Sequence, residues 1–438
     1  MQWEEFARRA ACFDHDLLAL ERGEELVTHT AVETVAGLRR LAMATDEQRR
    51  RRGRVFFSPQ IEVRRGLGQG VHDRIEAHAL ADGVIEQHDL EPAAAHFPFP
   101  VRALSVRRKH LGPGEIWDLS VRGDHWGLDY RDDVLSVVNV GELRLAPDAV
   151  VVVRGNLLIL VVQHLVCEPR DARTPHLAVL PTPFSVDAGH GPFDGQDGMS
   201  GNPGSAGSSG LPVRTSPTLL GPRTVGPVIA GTAGGQPGSD GGRGRDGGCG
   251  RTGGATKIAE ITIRELDGVF TVLAAGGRGG NGGAGGEGGV GGVGGEGAMG
   301  QRTIGGVHPP GQGGNGGNGG DGGRGGRGGH GGIGSNIFIS LPPQAAARVR
   351  IRTEPAAGGE GGRGGRGGSG GVGRRAGADG GTGGTAPDGR PGIPGTDGAP
   401  GRDGRARPCP PVFVNERPVQ CHEDKSTARR THGFERSH

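Results

Sequence analysis

The chain has 438 residues, of which 93 are Gly, 30 are Pro and only 4% are aromatic, so the glycines cannot share one hydrophobic core with everything else. Fifty basic residues against 48 acidic ones leave a formal charge of +2, which excludes a whole-chain electrostatic footprint for nucleic acid or an anionic membrane. No apolar run is long enough for a membrane span, and the N-terminus, MQWEEFARRAACFDHDLL, carries acids where a signal peptide needs a basic region. By these signs the chain is expected in the cytoplasm by default, with non-classical export as the other route.

Five cysteines, at 12, 167, 249, 409 and 421, are odd in number and lack CxxC spacing, which argues against a zinc ribbon and a disulfide framework. Cys409 and Cys421 are close enough in sequence to pair across a short tail loop.

Residues 1–54 read as an N-terminal helical segment. Trp3, Phe6, Ala10, Phe13, Leu17 and Leu20 recur at three- and four-residue steps, which predicts one amphipathic helix. Val32, Val35, Leu38 and Leu41 predict a second, broken by the basic run that contains Gly53. Arg49, Arg50, Arg51, Arg52 and Arg54 have no interleaved aromatic residue to stack a base, so a solvated charged turn is preferred to a phosphate contact.

Residues 55–186 read as a β-rich domain. Val55-Phe56-Phe57, Ile61, Val63 and Ile116 to Val121 have strand texture, and VLSVVNVGELRLAPDAVVVVRGNLLILVVQHLV breaks into short β-branched runs at Gly141, Pro147-Asp148 and Gly155-Asn156. A solenoid is favoured over a sandwich, because strand pairs recur at 257–275 and 335–353, each running into a glycine tract. The expected fold is therefore mainly β plus polyglycine-II: helical segment, β base, and a bundle of extended Gly-Gly-X helices joined by strand pairs. A polar tail, 406–438, closes the chain.

Within residues 187–405 glycine holds a phase of three at 238–253, 276–300, 313–334, 358–373 and 389–404. Three residues per turn is the period of a polyproline-II-type helix, which makes no internal hydrogen bonds and must bond to neighbours. Where two residues of three are Gly, two edges are bare and one carries side chains, which suits a two-layer bundle. The pieces GQDGMSGNPGSAGSSG and GRPGIPGTDGAPGRDG are collagen-like and are expected at the bundle's edges, where two exposed faces tolerate side chains.

By these repeats the region resembles polyglycine-II bundle proteins: the glycine-rich antifreeze proteins of springtails, the tail-tip adhesins of some bacteriophages, and the Gly-Gly-X repeats of mycobacterial PGRS proteins. The resemblance covers the repeats only and implies a scaffold or binding surface. The outward edge predicted for that surface comprises Arg278, Asn281, Glu287, Asp321, Arg324, Arg327, Glu360, Arg363 and Arg366, charges that suit ice poorly.

For chemistry, the best cluster is His125 with Asp129, Asp132 and Asp133, a weak candidate for a divalent cation or acid–base pair beside the blander reading of a polar turn. Gly66-Leu67-Gly68-Gln69-Gly70 lacks the spacing of a phosphate loop, and no cofactor motif or catalytic signature occurs. The leading expectation is a non-enzymatic structural or adhesive scaffold, with no assigned catalytic residue, whose partner is a protein or glycan surface and which can oligomerise. Two alternatives stand beside it: an enzyme or metal-binding domain in 55–186 with the glycine region as spacer, and an ice-binding protein.

Overall fold

In the computed structural model of the chain, which describes residues 2–56, 97–127, 134–169, 174–182, 194–228 and 231–419, the N-terminal apolar stripe closes as two helices rather than one. Helix α1 (Gln2–Ala11) carries Glu4 and Glu5 in its first turn and Arg8 and Arg9 in its last, matching the helix dipole. Asp14 then adopts a left-handed φ of 57°, and Asp16 accepts from the Leu18 N–H to start helix α2 (Leu17–Glu21). The split keeps the apolar face together: Phe6, Ala10 and Leu20 are buried with Trp3 and Leu17 packed on them.

Strand β1 (Glu25–Val32) follows, an element the sequence reading did not anticipate, and takes Val32 out of the second stripe. Helix α3 (Val35–Leu41) retains Val35, Leu38 and Leu41. Helix α4 (Asp46–Phe56) runs straight through Gly53, so the arginine run is helical, as are Val55 and Phe56, which were expected in a strand. Ile61, Val63 and the Gly66–Gly70 stretch lie outside the described residues.

The remainder is mainly β. Strands β2 (Phe99–Leu111), β3 (Ile116–Asp118), β4 (Leu135–Leu145), β5 (Val150–Arg154), β6 (Leu157–Cys167) and β7 (Leu177–Leu180) alternate between two sheets. So do the later pairs, β10 (Ala259–Asp267) with β11 (Phe270–Ala275) and β14 (Ile337–Ser340) with β15 (Val349–Glu354), whose members therefore do not form hairpins. The larger sheet has the order β1-β2-β4-β6-β10-β14-β16-β17, ending in β16 (Val412–Val414) and β17 (Arg417–Val419) from the C-terminal stretch; the smaller is β15-β11-β7-β5-β3. From β2 to β16 every neighbour is parallel, whereas β1 and β17 pair antiparallel and close the two edges.

Parallel stacking in register turns sequence alternation into columns. Leu104, Val138, Leu160, Ile261, Ile339 and Val414 form one column, which packs into the core between the two sheets. Pairing skips one residue at the same level of four strands, at Arg107, Gly141, Gln163 and Arg264. The extra residue reverses side-chain parity, so Val140 and Leu143, and likewise Val162 and Leu165, all face the same core. At Gly141 a Cβ would stand 2.4 Å from the Arg107 carbonyl oxygen, so this stacked bulge requires glycine there.

The outer face of the large sheet is also apolar, with Phe99, Val101, Val137, Ile159, Phe338 and Phe413 covered by Phe13 of the turn between α1 and α2 and by Leu38 of α3. One polar group interrupts it. Glu260 lies between Ile159 and Phe338 in their column and is buried with Arg52 of α4, at 2.7 Å. Arg52 also pairs with Glu416 at 3.0 Å, and its guanidinium lies 4.2 Å from the Phe338 ring centroid. A member of the expected solvated turn is thus the largest fully buried side chain, locking the N-terminal segment to β10 and to the final hairpin. Partnering makes this possible, since an unpaired guanidinium is prohibitively costly to bury.

Three excursions leave the sheets, between β7 and β10, β11 and β14, and β15 and β16. Each goes out and back as two glycine segments: first 194–210 and second 235–254, third 276–300 and fourth 311–334, fifth 358–377 and sixth 389–405. Their backbone hydrogen bonds arrange them in two layers. First, third and fifth run parallel through bonds such as Gly201 N–H to Glu287 O (2.7 Å) and Gly288 N–H to Arg366 O (2.8 Å). Second, fourth and sixth do the same through Gly244 to Asp321 and Gly322 to Thr396. Between layers the segments are antiparallel, as in Gly286 to Arg245, Gly320 to Gly289 and Gly395 to Gly368.

Candidate interaction surface

The third and fourth segments each have four bonded neighbours and read Gly-Gly-X; the first and sixth have two neighbours and hold the collagen-like stretches. In each Gly-Gly-X repeat of the third and fourth segments one glycine N–H reaches a segment of the same layer and the next reaches the opposite layer, as for Gly285 to Arg363 and Gly286 to Arg245. The close approach demands this composition: a Cβ on Gly285 would meet the Gly323 oxygen at 2.0 Å, and one on Gly286 the Met199 oxygen at 2.0 Å. Only the X side chain is left to face outward, producing two outer faces ruled by rows of X residues.

Of the nine predicted surface residues, Arg278, Glu287, Asp321, Arg324, Arg327, Glu360, Arg363 and Arg366 are exposed and Asn281 is half-buried. They divide between the faces. Arg278, Asn281, Glu287, Glu360, Arg363 and Arg366 belong to one layer, Asp321, Arg324 and Arg327 to the other. The register of Gly288 to Arg366 sets Glu287 beside Arg366, so the first face carries charges of both signs. On the second, Arg324 and Arg327 lie in rows adjoining Arg402 and Arg405 of the sixth segment. Among the described residues none of these arginines has an ion-paired carboxylate.

Two of the nine are committed within the bundle. Asn281 accepts the Glu360 N–H at its Oδ1 (3.0 Å), while its own N–H is taken by Asp194 Oδ1 (2.6 Å). Asp321 Oδ1 accepts both the N–H and the hydroxyl of Thr396, at 2.8 and 2.7 Å, and these two bonds hold its carboxyl below the ordinary carboxylate range, with Arg243 adding to the effect.

The same clasp recurs at residues that composition did not single out. Asp197 accepts from Ala284, Asp240 from Asn318, Asp246 from Arg324, Asn315 from Arg390, Asn318 from Ile393, and His330 Nδ1 from Arg405. Each bond joins X residues of adjacent segments in one layer. Such a short acceptor supplies the third N–H of the repeat, the one that neither glycine contact satisfies. The available signal was Asp, Asn or His at the X phase, as in GGNGGNGGDGG.

The proposed metal cluster is not assembled within the described residues. His125 stacks on His29 with ring centroids 4.0 Å apart, and Trp126 donates its Nε1–H to the Thr30 carbonyl at 3.1 Å. Burial, then His125 and Arg102, push the His29 imidazole below its ordinary value. Asp129, Asp132 and Asp133 lie outside the described residues, and no group of three metal-ligating side chains occurs among those described. Cys409 is buried and Cys421 lies outside the described residues. Comparison with protein-family models, curated proteins and solved structures returns no match.

Proposed function

We propose that the chain is a non-enzymatic adhesive or structural scaffold, in which a β-solenoid base carries a six-helix polyglycine-II bundle that presents its charged outer faces to a protein or glycan. The observation that carries this reading is the two-layer hydrogen-bond lattice, repeating every third residue and spending the glycine N–H groups inside while leaving long Arg and Glu side chains outside. Such a lattice pre-organises charges at a spacing of about 9 Å, three residues of about 3.1 Å rise, along segments about 75 Å long. Rigid presentation lowers the ordering cost of binding, which is what a recognition surface gains from a scaffold. The two parallel sheets support the solenoid half of the reading, since each pair of strands adds one turn and each glycine excursion replaces a return loop.

The test has two parts on the full chain. Circular dichroism with limited trypsin digestion should give a polyproline-II-like component and protection at Arg278, Arg324 and Arg363; rapid cleavage there would overturn the bundle. Glycan and protein arrays probed with wild type and with an Arg324→Glu/Arg327→Glu/Arg363→Glu/Arg366→Glu variant should then give binding that the variant loses with its spectrum intact. Binding indifferent to those four charges would overturn the display reading.

A further inference from the structure

All three glycine hairpins reverse at the same end, opposite the β base, where the described residues 211–228, 301–310 and 379–386 lie. Two of the reversals contain β-hairpins. Strands β8 (Thr215–Thr218) and β9 (Gly221–Thr224) pair antiparallel around a Leu219-Leu220 turn, and β12 (Gln301–Thr303) and β13 (Gly306–His308) around Ile304-Gly305. They are joined: the Ile304 N–H donates to the Pro222 carbonyl at 2.9 Å, and the Thr224 and Thr303 hydroxyls lie 3.2 Å apart. The two hairpins therefore form one tip.

That tip is apolar where folding gives no reason for it. Leu219 is 107% exposed and Leu220 88%, at turn positions that normally take Gly, Asn, Asp or Pro. Leu211, Val225, Ile304 and Val307 add to them, and half of the sixteen exposed large apolar side chains of the described residues belong to this end. Burial in the fold does not explain them.

The charge on the two joined hairpins themselves is of one sign. Segments 211–228 and 301–310 contain Arg214, Arg223, Arg302 and His308 and no Asp or Glu. The third reversal carries one exposed acid, Asp379, whose carboxylate is occupied in its own turn, accepting from the N–H groups of Thr382 at 3.0 Å and Gly384 at 3.1 Å. Apolar side chains at an extremity, ringed by arginine, match the interface of an anionic bilayer, where leucine enters the acyl boundary and guanidinium groups meet phosphate. No described helix is long and apolar enough to cross a membrane, so the contact is peripheral.

We propose that the distal tip is a membrane-contacting element that inserts Leu219 and Leu220 into an anionic lipid surface. The assignment is independent of the charged faces of the bundle. A protein surface offering an apolar pocket would leave the arginines of the two joined hairpins, which carry no acid, unexplained, so the bilayer is the better match.

The test is flotation of the full-length protein with phosphatidylcholine vesicles, with and without phosphatidylglycerol. Binding should require phosphatidylglycerol, weaken with salt, and fall at least about tenfold in Leu219→Glu/Leu220→Glu, whose exposed sites leave folding and the dichroism spectrum unchanged. Replacing Arg214, Arg223 and Arg302 with Gln should weaken it several-fold, whereas Arg324→Glu/Arg363→Glu should leave it intact. The proposal is overturned if the anionic vesicles are not bound, or if binding survives the leucine double variant. Vesicle-independent self-association that the double variant abolishes would likewise overturn it, in favour of a second copy as the occupant.

Discussion

Gly320→Ala is the sharpest probe of the bundle, because one methyl group at the centre of the fourth segment opposes two effects of calculable size. A Cβ there would stand 2.0 Å from the Gly242 oxygen and 2.6 Å from its carbonyl carbon, and separations under 3.0 Å are essentially never seen. The second and fourth segments must then part by at least about 1 Å. That stretches Gly241 N–H to Asn318 O (2.8 Å), Gly244 N–H to Asp321 O (2.9 Å) and Asn318 N–H to Asp240 Oδ1 (2.6 Å) beyond useful length. Three bonds at about 1 kcal/mol each cost about 3 kcal/mol. Restricting the unfolded chain returns about 0.4–1 kcal/mol, leaving a net loss of about 2–3 kcal/mol. Thermal unfolding by circular dichroism measures the loss, and hydrogen exchange at the Gly241 and Gly244 amides locates it. The exposed control Arg324→Ala should stay within about 0.5 kcal/mol. If Gly320→Ala matches that control, the segments are not in the tight register described and the reasoning fails.

Three further outcomes follow from other contacts. Arg52→Met should destabilise the chain by about 3–5 kcal/mol in denaturant titration, since it strands the buried Glu260 carboxylate; a loss under 1 kcal/mol would refute the locking role. Replacing Asp197, Asp240 and Asp246 with Ala should speed amide exchange at Ala284, Asn318 and Arg324 selectively, and unchanged exchange at those sites would dismiss the clasp. His29 should titrate by NMR below 6.5, with His125→Asn raising its midpoint; because the folded value is depressed, its contribution is complete above 6.5 and is lost as pH falls through the folded value. A midpoint at or above 6.5 would contradict the stacked pair.

Much of the architecture is written in local patterns, and what is missing is written in none. The glycine phase carries the bundle's logic because a bare edge is a local property: the third and fourth segments, with four bonded neighbours, have two glycines in three, and the collagen-like stretches, with one in three, lie in the two-neighbour edge segments. Alternation at Ile261 and Ile263 finds inward columns for the same reason. Glu260 reads as an ordinary outward polar residue, and only the covering helices make it buried; its partner Arg52 is 208 positions away in sequence, and the second partner of Arg52, Glu416, is 364 positions from that arginine, separations no window spans. The parity switch at Gly141 and Gln163 likewise defeats period counting, since Val162 and Leu165 share a face three residues apart. At the N-terminus periodicity joined what Asp14 and Asp16 divide, because turn and cap signals inside an unbroken stripe carry less weight than the stripe itself.

The surface residues pose a different difficulty, because the same X phase holds groups with opposite duties. Length separates them. Asp, Asn and His project a hydrogen-bond acceptor only far enough to reach the next segment's amide, so Asp240, Asn315 and Asn318 close the layer. Arg and Glu extend past that amide into solvent. In the sixth segment the Gly392 N–H goes to the opposite layer and the Ile393 N–H to Asn318, leaving a third position in each repeat. Pro391, Pro394 and Pro400 occupy three of these positions, removing an N–H that a seventh segment would need, while Asp397 and Asp403 at the same phase accept the Gly367 and Gly361 N–H groups of the fifth segment, each at 2.8 Å. The collagen-like composition at that edge therefore goes with the termination of the glycine lattice: close packing on four sides fills the interior with Gly-Gly-X, whereas a segment with two neighbours accommodates proline or aspartate on the side where the lattice stops.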